Sequence, residues 1–136
     1  MSFDLMVFEI SKAPQTKKDF MAWYAQQTEW GEDHDYDDAG LTSPALRNWY
    51  REMLQSYPAM NGPDAPDDEA LDADPDLEDR LTDYSVGYDV IYAAFAWSEA
   101  EPARELTWRL AEKHGVGFFD VSAEGGVWLP DGREIK

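Results

Sequence analysis

Between Glu29 and Asp83, seventeen of the chain's twenty-nine carboxylates stand against Arg47, Arg51 and Arg80 alone. Unpaired carboxylates stay in water because burying one costs more than packing returns. The fold must therefore be assembled from the apolar runs before, within and after this stretch. The stretch also supplies most of a formal net charge of −18. A surface this acidic repels nucleic-acid backbones and anionic membranes at long range, and it attracts cations and basic proteins.

The apolar content is sufficient for a core. Hydrophobic residues make up 43% of 136 residues and aromatic residues 14%, with six tryptophans, so burial can offset chain entropy and one domain over residues 1–136 is expected. Cysteine is absent, which removes disulfides, thiolate nucleophiles and thiolate metal ligands and suits a reducing cytoplasm. The opening Met1-Ser2-Phe3-Asp4-Leu5 has no basic region followed by a long apolar run. No segment approaches the roughly twenty apolar residues of a membrane span. A soluble, cytoplasmic protein is the expectation.

Local patterns order the elements. Phe3 to Glu9 is a short run rich in β-formers and reads as a largely buried strand. Thr16 offers an N-cap before Phe20, Trp23, Tyr24, Gln27 and Trp30 at helical spacing, and Ser43-Pro44 caps a second helix with Leu46, Trp49, Tyr50, Met53, Leu54 and Tyr57 on one stripe. Residues 58–83 form an acidic excursion punctuated by Pro58, Pro63, Pro66 and Pro75. Asp74-Pro75 can cap a short turn within it, and Leu71, Leu77 and Leu81 can pin it to the core. Thr82 to Tyr88 and Val90 to Trp97 read as paired strands. Ser98-Glu99-Ala100-Glu101 reads as a capping box opening a third helix that ends at Gly115. Gly117 to Val121 and Val127 to Leu129 complete the order β-α-α-β-β-α-β-β. This mixture predicts an α+β fold, with a mainly antiparallel sheet of about five strands and the three main helices on one face.

No chemistry-bearing motif stands out. Asp33, Asp35 and Asp37 alternate around His34 and Tyr36, but a calcium loop begun at Asp33 would need glycine where Asp38 stands and glutamate where Pro44 stands. The run Asp72, Asp74, Asp76 fails in the same way, with Leu77 at the sixth position. His34, in a charged loop, reads as an exposed side chain, and His114 as a cation at a helix C-terminus. Gly115-Val116-Gly117 follows a helix and precedes a strand, the reverse of a phosphate-binding loop. No nucleophile elbow or Walker pattern occurs, so neither catalysis nor a cofactor is expected. Trp23, Trp30 and Trp49 read first as core residues, while Trp30 and Tyr36 border the acidic loop, where aromatic side chains can anchor a partner.

Three segments carry a resemblance: Phe3-Asp4-Leu5-Met6-Val7-Phe8, Ile91-Tyr92-Ala93-Ala94-Phe95-Ala96-Trp97-Ser98 and His114-Gly115-Val116-Gly117-Phe118-Phe119-Asp120-Val121. With them the chain resembles small acidic bacterial proteins, some of which look like immunity proteins of polymorphic toxin systems. The resemblance implies a stoichiometric inhibitor that docks on a toxin, and it carries no family catalytic residue over to a position in this chain. The expected binding surface comprises Trp30, Glu32, Asp33, Asp35, Tyr36, Asp37 and Asp38 with Asp67, Asp68, Asp72, Asp74 and Asp76, facing a basic protein partner and not nucleic acid or membrane. The alternative class is a carboxylate-dependent metal protein or enzyme using Asp33, His34, Asp35 and Asp37. A third possibility is acidity that serves only solubility or tolerance of high salt.

Overall fold

A computed structural model describes residues 2–60, 62–122 and 125–136; Asn61 of the acidic excursion lies outside these. Strands β1 (Phe3–Phe8), β2 (Asp83–Val86), β3 (Val90–Phe95), β4 (Gly117–Phe119) and β5 (Val127–Trp128) form one open sheet in the order β2-β3-β1-β4-β5. All neighbouring pairs are antiparallel. The central position of β1 explains its unbroken apolar run, because a strand covered on both faces has no solvent side to signal by alternation. Every residue of β1 except Asp4 is buried. The α+β class and the five-stranded antiparallel sheet are as expected.

The placement of the helices is not. Helices α2 (Pro44–Met53) and α4 (Ala100–His114) cover the face that carries Phe3, Leu5 and Val7, where Leu46, Trp49, Tyr50 and Met53 meet Ala103, Leu110 and Ala111. Trp49 is fully buried, and its Nε1 donates to the Thr107 carbonyl at 3.2 Å. Helix α1 (Lys17–Gln27) lies on the opposite face, with Phe20 packed among Met6, Phe8, Phe119 and Val127. The expectation of three helices on one face is corrected on this point. Met6, Phe8 and Val90 give the sheet a second apolar side, and α1 covers it.

Helix ends follow local chemistry. Thr16 accepts from the Asp19 N–H at 3.3 Å, and Ser43 accepts from the Leu46 N–H at 3.3 Å. Gly115 closes α4 in the left-handed conformation (φ 73°), which only glycine adopts without strain. The capping box expected at Ser98 does not form: Trp97–Glu99 make a 3₁₀ turn, and Glu99 precedes α4 without a side-chain cap. The acidic excursion is partly helical, as α3 (Asp68–Ala73) and a 3₁₀ turn over Pro75–Arg80. Arg80 ties it down by donating through Nε to the Ser56 carbonyl at 3.1 Å.

Both sheet edges carry backbone bonds to flanking segments. Along β2, the Val86 N–H donates to the Tyr36 carbonyl at 2.8 Å and the Met60 N–H to the Thr82 carbonyl at 2.8 Å. Along β5, the Ile135 N–H donates to the Val127 carbonyl at 2.8 Å.

Candidate partner-binding surface

The loop that follows α1 is built around His34. Its side chain is only 6% exposed, against the expectation of an exposed imidazole, because its ring lies 4.6 Å from both Tyr36 and Tyr88 between the two. His34 Nδ1 is 2.9 Å from the Asp35 carbonyl and Nε2 is 2.5 Å from Glu32 Oε1. Two acceptors suit an imidazolium, which has two donors. The Asp35 carbonyl, and after it the Glu32 carboxylate, raise the His34 pKa above its usual 6.5 despite burial. Glu32 Oε1 also accepts from the Tyr88 N–H at 3.0 Å, and the Glu32 N–H donates to the Tyr36 hydroxyl at 2.7 Å. Thr42 Oγ1 donates to the Tyr88 carbonyl at 3.2 Å. A stretch rich in like charge is thus docked on the β2–β3 hairpin by one imidazole, two phenol rings and backbone bonds.

This docking sorts the acidic residues. Asp35, Tyr36 and Asp37 join Asp83 around a groove of about 340 Å³ beside β2. Asp37 presses on Gly62, where an added Cβ would come within 2.7 Å of the aspartate and φ is +82°. Asp37 and Asp38 then line a second groove of about 300 Å³ with Asp64 and Arg51. Asp64 accepts from the Tyr50 hydroxyl at 3.0 Å; that hydroxyl's pKa is raised first by burial and then by this carboxylate.

The other expected residues are placed differently. Glu32 points inward to His34, while Asp33 is exposed. Asp67, Asp68, Asp72, Asp74 and Asp76 lie on α3 and around the turn after it, where Asp67 caps α3 and Asp74 accepts from the Asp76 N–H and pairs with Arg80 at 3.5 Å. They line neither groove. Trp30 and Tyr36 are half-buried and pack edge to face at 5.1 Å. Asp64 and Asp83 bound the second acidic run expected to face the partner, but their meeting with the loop before α2 was not legible, since nothing near either residue in the chain signals it.

Among the described residues no group of three or more His, Asp or Glu side chains converges as a metal site would require, and Asp33, His34, Asp35 and Asp37 form no such group. No described helix is long and apolar enough to cross a membrane. No protein-family model matches the chain, and neither the curated proteins nor the solved structures contain a match.

Proposed function

We propose that this chain is a non-enzymatic binding protein whose acidic surface beside β2 covers a basic protein partner, an immunity-type inhibitor of a toxin being its specific form. The observation that carries the reading is the convergence of Asp35 and Asp37 with Asp83 on one groove, and of Asp37 and Asp38 with Asp64 on the next. These carboxylates come from segments far apart in the chain and share a face in which, among the described residues, Arg51 is the one basic lining residue. Like charges gathered this way repel one another, and a cationic partner removes that cost while gaining electrostatic steering. The His34 bracket holds the loop in its docked shape before the partner arrives, which lowers the ordering cost of binding.

The test begins with affinity capture to recover a partner, followed by association kinetics for variants. Asp35→Asn, Asp37→Asn and Asp83→Asn should each slow association by a factor of about two to three, and the triple variant should slow it further and flatten its salt dependence. Unchanged kinetics in the triple variant would falsify the reading. So would a measurable turnover abolished by one of these substitutions with the fold and partner association intact.

A further inference from the structure

Helix α1 does not cover the whole of its sheet face. Its apolar contacts gather over Met6, Phe8, Phe119 and Val127, and residues of β2 on the same side, Asp83 and Ser85, lie outside that cluster. A cleft of about 260 Å³ opens there, walled by Tyr24, Trp30 and Tyr92, with Thr28, Asp83 and Ser85 completing its polar lining. The Trp30 and Tyr92 rings stand 83° apart with centroids separated by 6.1 Å, so their planes form a corner. Tyr92 is fixed by a hydrogen bond from its hydroxyl to the Asp4 carboxylate, which also accepts from Ser2 Oγ at 2.5 Å. Trp30 is fixed from the other side by Tyr36 and has φ 53°. A bulky residue in the left-handed region is rare, and such strain persists only where the surroundings hold it.

We propose that this cleft binds the guanidinium of an arginine side chain carried by the basic partner, an inference that rests on the acidic-surface reading above. Aromatic faces attract cations through the ring quadrupole, most strongly for tryptophan. Asp83 supplies a carboxylate whose two oxygens match the donor fork of a guanidinium, and the Ser85 and Thr28 hydroxyls offer further acceptors. Among the described residues no basic side chain lines the cleft, and the net charge of −18 disfavours an anion. Arginine suits the corner better than lysine because a planar, weakly hydrated group stacks on rings while keeping its edge donors free. Asp83 and Ser85 also line the groove shared with Asp35 and Asp37, so an arginine entering the cleft sits beside the surface assigned to the partner.

The experiment is an NMR titration of the isotope-labelled protein with N-acetylarginine methylamide, its neutral citrulline counterpart and the lysine counterpart, reading the Trp30 indole N–H assigned through Trp30→Phe. The arginine probe should shift that resonance saturably at millimolar concentration, ahead of lysine, with no shift from citrulline. Asp83→Asn, at an exposed position, should keep the native spectrum and weaken binding about ten-fold. Equal shifts from citrulline or lysine, unchanged affinity in Asp83→Asn, or no saturable shift at Trp30 would overturn the proposal. Arginine binding in the cleft, with partner association indifferent to Asp35→Asn and Asp37→Asn, supports the cleft and overturns the surface reading. Partner association that depends on those residues without probe binding overturns the cleft alone.

Discussion

Single residues set hard limits on this fold, and two glycines separate the reasons. Gly117 faces Phe8 across the β1–β4 pair, and a Cβ built at 117 would come within 2.1 Å of the Phe8 ring. Gly115 has open space around it and is needed only for its left-handed backbone. Gly117→Ala should therefore cost about 2–3 kcal/mol, because the central strand must shift or Phe8 must leave its rotamer. Gly115→Ala should cost about 1 kcal/mol from backbone strain alone. Urea unfolding of both variants makes the comparison, and equal losses would contradict the steric account of Gly117.

At the scale of elements, the acidic loop before α2 is held by a group whose charge depends on pH. His34 is stabilised as a cation by the Asp35 carbonyl and the Glu32 carboxylate, so its folded pKa lies above the ordinary 6.5. A raised pKa means that the folded state binds the proton more tightly. The contribution is then fully present below the ordinary imidazole value and is lost as pH rises through the folded one. Wild-type stability should exceed that of His34→Gln at pH 6, with the gap narrowing as pH climbs past the His34 titration followed by NMR. A gap that widens with pH would show that the cation is not what docks the loop. The other histidine also joins elements: His114 and Lys113 at the end of α4 reach Glu52 of α2 at 2.9 and 2.8 Å. The helix-terminal position expected for His114 is correct, and the partner on α2 is what tertiary packing adds.

Across the whole molecule, the acidic surface works against the core through self-repulsion. Exposed charges are screened over ~8 Å at physiological ionic strength. Raising sodium chloride should therefore increase the melting temperature by relaxing repulsion among groups such as Asp35, Asp37 and Asp83. An unchanged or lower midpoint in high salt would count against the picture, and a rise produced only by calcium or magnesium would favour specific cation binding. The same field should keep the protein off nucleic acid, since eleven basic residues face twenty-nine acidic ones. A gel-shift assay should show no retarded band at micromolar protein, and salt-sensitive binding in that range would contradict the expectation.

Much of the architecture was legible because it is local. The Thr16 and Ser43 caps, the Asp74 turn, the Gly115 stop and the β-forming runs on either side of Gly87 act within a few residues, so composition and spacing determined them. Ser98 shows the limit even there: its capping pattern was present, but the chain turned through a 3₁₀ segment first. The side of the sheet that α1 covers was decided by tertiary structure, since an apolar stripe says which face of a helix is buried and not which neighbour buries it. The acidic surface divides in the same way. Its sign was determined by the sequence, because charge is additive along a chain. The meeting of Asp35 and Asp37 with Asp83, and the corner that Trp30 makes with Tyr92, were decided only when the loop folded back onto the β2–β3 hairpin, because side chains distant in sequence converge through packing and not through spacing.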